Sequence, residues 1–172
     1  MSTPVEFNTW IAGWTALAFV VAYGVLVVTT NRRTVAMRNR VPYRIMVTGS
    51  RGKSGTVRLI HAALWPHRHT YAKITGSAAR ELSVDGSETE TTRLGTTSFS
   101  EMTEAIRRAG QQRAELGVFE CMAVTPALIR SVQESHVQAQ MVIIPTIRLD
   151  HLEAEGLSIE EIAQSIVHST TG

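Results

Sequence analysis

Arg44-Ile45-Met46-Val47-Thr48-Gly49-Ser50-Arg51-Gly52-Lys53-Ser54-Gly55-Thr56 is the stretch that sets the architecture. A short, mostly apolar run enters a glycine-flanked turn, the turn ends in Lys-Ser, and a helical pattern follows. Strand, tight loop and helix in that order present backbone N–H groups and a helix N-terminus to a phosphate. Gly49 and Gly52 permit backbone angles and a close approach that a Cβ would forbid. Lys53 has the reach for the outer phosphates of a nucleotide. Ser54 offers a hydroxyl to the magnesium ion that travels with it.

The spacing departs from the common phosphate loop. The pattern G-x-x-x-x-G-K-[ST] needs a glycine at position 47, where Val47 stands. What is present is the shorter G-x-x-G-K-S, Gly49 to Ser54. The plain alternative is a surface turn without a ligand. The strand before and the helix after favour phosphate, so Gly49, Ser50, Arg51, Gly52, Lys53, Ser54 and Gly55 are the candidate nucleotide-binding loop.

Working outward, helical and strand patterns alternate. Val57, Ile60 and Leu64 recur at helical spacing until Pro66. His69 to Ile74 reads as a second strand. Glu81 to Ser98 is polar and rich in Thr, Ser and Gly, and reads as a loop. Ser98 with Glu101 spells a capping box, and Met102, Ala105, Ile106 and Ala109 mark one helix face. Leu116 to Phe119 is a strand ending in Glu120. Thr125-Pro126 opens a helix to about Ser135. Met141 to Ile144 reads as a strand covered on both faces. Ser158 with Glu161 caps a final helix. This alternation predicts an α/β fold: a mostly parallel sheet with helices on both faces, built around a phosphate loop.

An apolar helix precedes that domain. Trp10 to Val28 is nearly all apolar, 19 residues where a bilayer core needs about 20. Trp10 and Trp14 sit at one end, and Arg32, Arg33, Arg38, Arg40 and Arg44 follow the other. Arginine excess marks the cytoplasmic side. The expected order is a short non-cytoplasmic N-terminus (1–9), a transmembrane helix (10–30), a basic juxtamembrane linker (31–42) and a cytoplasmic nucleotide-binding domain (43–172). A signal peptide would want a basic n-region, and Met1 to Thr9 has neither Lys nor Arg. The 172 residues are 44% hydrophobic with a formal net charge of +2. That excess lacks the interleaved aromatics and recognition motif of a nucleic-acid binder. The single cysteine, Cys121, permits no disulfide within the chain.

In open α/β sheets, ligands sit at the carboxyl ends of the strands. Four such ends carry chemistry here: Gly49 to Ser54, Lys73 to Ser77, Glu120, and Asp150-His151. A carboxylate at a neighbouring strand end supplies an oxygen to the magnesium held by Ser54, which points to Glu120. Its plain alternative is a capping or ion-paired glutamate. His151 taken alone reads as structural. His67 and His69, two apart, read as a solvated turn.

Taken together, the short G-x-x-G-K-[ST] loop, a Glu after a later strand and a D-H after the next resemble the central domain of the Mur ligases and folylpolyglutamate synthases. T-G-S-R-G-K-S, K-I-T-G-S-A-A-R (Lys73 to Arg80), F-E-C-M-A-V (Phe119 to Val124) and L-D-H-L-E (Leu149 to Glu153) are similar to the poly-γ-glutamate synthase ligase branch. That branch also begins with a membrane anchor and a basic stretch. The resemblance covers essentially the whole chain.

The resemblance implies an ATP-dependent amide ligase. ATP phosphorylates a glutamate γ-carboxylate, and the amine of the next glutamate attacks the acyl phosphate. By position, Lys53, Glu120 and His151 are the catalytic residues. Ser54 and Glu120 hold a first Mg2+, and His151 a second metal or its water. Lys73, Thr75 and Arg80 are expected near substrate or phosphate. The implied partners are glutamate or the growing polyglutamate chain, the membrane, and small membrane subunits that export the polymer. Two positions depart from the family pattern: Thr146 stands where Asn is usual, and no lysine follows His151. Relatives continue beyond the final helix pattern, so the chain is expected to be a C-terminally truncated fragment that binds ATP weakly and ligates nothing alone. The competing readings are a folate or muropeptide ligase and a non-catalytic, nucleotide-binding membrane adaptor.

Overall fold

Tyr43–Val47 forms β1, and in the computed structural model it lies one strand in from a sheet edge. The structure describes residues 4–76, 78–92, 98–149 and 158–170. The other strands are β2 (Thr70–Ile74), β3 (Arg80–Leu82), β4 (Glu88–Glu90), β5 (Leu116–Glu120) and β6 (Met141–Ile143). They form one sheet in the order β4-β3-β2-β5-β1-β6. β2, β5, β1 and β6 run parallel, while β3 and β4 are an antiparallel addition to β2. Val47 is level with Glu120 on one side and Ile143 on the other, and Lys73 is level with Phe119. The carboxyl ends of four strands are therefore aligned along one edge, and the phosphate-loop candidate leaves from the middle of it.

Helices cover both faces. α2 (Lys53–Leu64) packs Val57 against Ile45, Val47, Ala72, Ile74 and Val118. On the other face, α3 (Phe99–Gln111) lays Met102, Ala105, Ile106 and Ala109 over Met46, Tyr71 and Phe119. Alternate residues of β1 and β5 thus enter opposite cores, which is why both read as unbroken apolar runs. β6 reads the same way for another reason. It is the edge strand among the described residues, and Met141 is 44% exposed, so the expectation that both its faces are covered does not hold.

The polar segment 81–98, expected as a loop, contains the β3–β4 hairpin. Its strands are three residues long, and Glu88, Thr89 and Glu90 are all exposed, so no apolar alternation announces them. Trp65 covers the hairpin, its indole N–H donating to the Val84 carbonyl at 2.9 Å. Ser98 makes no capping bond with its side chain; its hydroxyl pairs with Ser100 at 2.6 Å, and the Glu101 carboxylate turns to Lys73 instead. Pro126 does open α4 (Pro126–Ser131), which runs on as a π-helical turn, Val132–Val137. α5 (Ile159–Thr170) starts as expected, Ser158 Oγ accepting the Glu161 N–H at 3.2 Å.

The chain divides into two units, Met1–Ala36 and Met37–Gly172. α1 (Pro4–Arg38) carries a 30-residue stretch, Thr9–Arg38, long and apolar enough to cross a membrane by length and composition. Helix continues through the basic stretch to Arg38, where a separate linker over 31–42 was expected. Two of its flanking arginines are built into the second unit. Arg38 Nη1 donates to the carbonyls of Ser135 (3.0 Å) and His136 (3.3 Å). Arg44 Nε donates to Val137 O at 2.8 Å, and its Nη2 to Gln138 O at 3.0 Å. These carbonyls end the π-helical turn, where no intrahelical donor remains for them.

Candidate functional site

The loop between β1 and α2 is held from below. Thr48 N–H donates to Ile143 O and Ser50 N–H to Thr146 O, each at 3.0 Å. Gly49 adopts φ +124°, and a Cβ there would lie 2.9 Å from Thr146 O. Gly52 adopts φ +84° and hands the chain to α2. No side chain caps α2 and no acidic residue occupies its first turn, so the positive end of the helix stays open to an anion. Lys53 Nζ folds across the turn and donates to Gly49 O at 2.6 Å. Arg51 and Gly55 are exposed at the rim. Ser50 behaves differently from its neighbours. Its N–H is used by Thr146, and its hydroxyl donates to Arg148 O (3.1 Å) and accepts the Arg148 N–H (3.2 Å). It shapes the loop where a direct phosphate contact was expected.

Glu120 closes the site from β5. Its residue is only 3% exposed, and Thr75 and Ser54 both donate to its carboxylate. The Thr75 N–H donates to Oε2 at 2.8 Å, and the Ser54 hydroxyl donates to Oε1 at 2.9 Å and lies 3.1 Å from Oε2. The Thr75 hydroxyl also reaches the Glu120 main-chain carbonyl at 3.4 Å. Gly76 completes the ring: a Cβ there would meet Ser54 Oγ at 3.0 Å and Glu120 Oε1 at 4.0 Å. Four strand-end and loop residues thus converge, and one of them, Gly76, was not among the expected site residues. Its position directly after Thr75 at a strand end was the available signal.

The remaining candidates lie elsewhere. Lys73 is fully buried between Glu81 and Glu101. Arg80 is level with Ile74 and pairs with Glu88 at 3.2 Å and Glu90 at 3.8 Å. Adjacent β2 positions face opposite sides, so Lys73 belongs to the α3 face and Arg80 to the α2 face. They do not meet in one pocket with Thr75. Asp150 and His151 lie outside the described residues. His67 and His69 are exposed. Cys121 is buried, and burial holds its thiol above the usual range, so it stays protonated beside the site. Beyond it, Met122, Ala123, Val124 and Thr125 join Phe99 and Leu128 around a mainly apolar pocket of about 190 Å3.

The donor set fits a nucleotide-bound magnesium ion. Ser54 Oγ and Glu120 Oε1 are 2.9 Å apart, with Oε2 fixed by backbone and Oε1 turned to the hydroxyl. Among the described residues, no group of three or more His, Cys, Asp or Glu is placed to hold a metal ion. The described residues would thus give two oxygens to such an ion, from Ser54 and Glu120.

A family model for the Mur ligase middle domain matches residues 47–168, from the last residue of β1 into α5. The capsule biosynthesis protein CapB of Bacillus anthracis is 27% identical over 150 residues, covering 86% of this chain and 32% of its own length. The PGA synthase CapB of Bacillus subtilis (strain 168) is 30% identical over 153 residues, covering 87% of this chain and 38% of its own. The chain spans about a third of the length of these curated relatives. No solved structure matches it. The matched span holds the glycine loop, the Ser54–Glu120 pair and every strand of the sheet except β1, of which it takes the last residue, and the chain belongs to the Mur ligase middle domain family.

Proposed function

We propose that this chain is the nucleotide-binding part of a membrane-anchored, ATP-dependent amide ligase of poly-γ-glutamate synthesis. The family's members are ATP-dependent amide ligases, and the names of both relatives point to capsule or polymer synthesis. The observation that carries the reading is the meeting of Ser54 and Glu120 below an uncapped helix N-terminus. In this reading the N–H groups of Gly52 to Gly55 receive the phosphates. Lys53 leaves Gly49 O for the outer phosphates, and Ser54 and Glu120 hold Mg2+. His151 stands as a further metal ligand. ATP supplies a phosphoryl group to a glutamate γ-carboxylate, and the acyl phosphate so formed is attacked by the next glutamate's amine, releasing phosphate. In this reading α1 crosses the membrane with Arg32 and Arg33 on the cytoplasmic side, and the nucleotide-binding domain is cytoplasmic. Small membrane subunits that export the polymer are the partners this arrangement calls for.

The test uses the intact protein in membrane vesicles with Mg-ATP and labelled glutamate. Glutamate-dependent ADP release and labelled polymer are expected. Lys53→Ala should lower turnover at least about a hundredfold, the scale set by removing a group that stabilises transferred-phosphate charge. ADP release driven by a folate or muropeptide substrate and not by glutamate would move the protein to another ligase branch. Nucleotide binding without turnover on any of the three would make it an adaptor.

A further inference from the structure

Lys73 is 0% exposed, and its three ammonium protons meet three acceptors. Thr91 Oγ1 is at 2.6 Å, Glu101 Oε1 at 2.8 Å and Glu81 Oε1 at 3.4 Å. Glu81 is drawn towards Arg108, whose Nη1 donates to both carboxylate oxygens at 2.9 Å. Glu101 is therefore the close counter-ion of Lys73. Lys73 and Glu81 are the buried charges, Glu101 is nearly so, and the half-exposed Arg108, which also pairs with Glu104 at 3.1 Å, brings the second cation to Glu81. A lysine enclosed in this way has no proton left for a substrate.

Its acceptors come from three elements. Glu81 is its cross-strand neighbour on β3, Thr91 follows β4, and Glu101 stands in the first turn of α3. Two residues after Lys73, the Thr75 N–H orients Glu120. Two residues before Glu101, Phe99 lines the pocket that opens at Met122 to Thr125, just beyond Glu120. One buried cation thus links the strand end that sets the carboxylate to the helix end that forms the pocket wall.

We propose that Lys73 is a positioning residue: its ammonium ties Thr91 and the first turn of α3 to the carboxyl end of β2, and so fixes the Phe99 wall of the pocket beside Glu120. What the pocket holds, the carbon part of the glutamyl substrate, rests on the ligase reading above; the tether itself does not.

The experiment is made on the intact protein with the pair Lys73→Met and Glu101→Met. Removing one partner alone would strand a buried charge, whereas apolar replacement of both leaves none. Two readouts separate the claims. Amide hydrogen exchange at Thr91 and at Ser100 to Thr103 should quicken by about tenfold or more, with residues 43–57 unchanged. The KM for glutamate should rise by about tenfold while Mg-ATP affinity holds within about twofold. Unchanged exchange overturns the tether. Faster exchange with an unchanged KM overturns the positioning role. Parallel loss of ATP affinity assigns Lys73 to the nucleotide instead and overturns it too. If the unmodified protein shows no glutamate-dependent turnover, the ligase reading falls and the substrate half with it, while exchange still decides the tether. Should the double variant fail to fold, Thr91→Val keeps every charge and carries the same readouts at smaller amplitude.

Discussion

Gly76 bears no charge and donates no side chain, yet it controls how close Ser54 comes to Glu120. Alanine would fit its backbone, since φ there is not in the left-handed region, but the new Cβ would press on Ser54 Oγ at 3.0 Å. The hydroxyl would have to move by a few tenths of an ångström, and in the proposed site it is one of the two oxygens that the described residues offer to the ion. Gly76→Ala is therefore expected to weaken Mg-ATP binding by about tenfold, roughly 1.4 kcal/mol, while changing the melting temperature little. Titration calorimetry with and without magnesium checks this. An equal loss of nucleotide affinity in EDTA would show that the methyl disturbs the phosphate loop and not the metal pair. At this scale the sequence was legible where a residue's chemistry is local. Gly49, Gly52, Lys53 and Ser54 follow one another in the chain, and Glu120 ends an apolar run. It was not legible where a side chain's direction depends on a neighbouring strand. Lys73 and Arg80 share one motif but take opposite faces because β3 turns back antiparallel on β2.

Two histidines join elements and are held neutral. His61 lies between α2 and β2, its Nε2 3.1 Å from Thr70 O, so that nitrogen carries the proton and donates. Its ring stacks with Trp65. His136 joins the π-helical turn to α3, stacking on Phe99 with Nδ1 3.1 Å from the Thr103 hydroxyl. Burial lowers the pKa of both, aided at His136 by the nearby Arg38 charge and opposed at His61 by the Thr70 and Ser83 backbone and by Glu88. The sign follows directly. With folded values below the usual 6.5 or so, the unfolded chain takes up protons first as pH falls. Stability from both sites is intact above about pH 7 and declines below about 6.5, by at most about 1.4 kcal/mol per pH unit per site. Thermal melts from pH 7.5 to 5.5 should show this fall, and His61→Gln with His136→Gln should flatten it; an unaltered slope would locate the acid sensitivity elsewhere. Elements were legible where burial is two-sided. β1, β5, α2 and α3 show their period because both cores demand it. The β3–β4 hairpin hid because its strands are short, polar and held by Trp65 from outside, and the Ser98 box misled because Lys73 claims Glu101.

For the molecule as a whole, the question is where the apolar helix ends and the domain begins. Composition places the change at the end of the apolar run, near residue 30. Packing places it later: Met37 onward belongs to the second unit, Val41 is fully buried in its core, and Arg38 holds the carbonyls of Ser135 and His136. Deleting residues 1–36 removes the first unit, whereas deleting 1–42 also removes a core valine and a helix-end donor. Burying a valine is worth about 1.5–3 kcal/mol and each carbonyl bond about 0.5–1.5 kcal/mol. The longer deletion therefore costs about 3 kcal/mol, or about 10 °C in melting temperature for a domain near this size. The intact chain is expected in the membrane fraction, released by detergent and not by high salt. Without residues 1–36 it should be soluble, with Mg-ATP affinity within about twofold of the intact protein, since the site is built wholly from Val47 onward. Without residues 1–42 it should melt well below that and expose its core to hydrophobic dyes. Continued membrane association after the 1–36 deletion would place the anchor outside α1. Equal melting of the two shortened forms would show that Arg38 and Val41 merely lie against the domain, and the boundary would return to the start of β1.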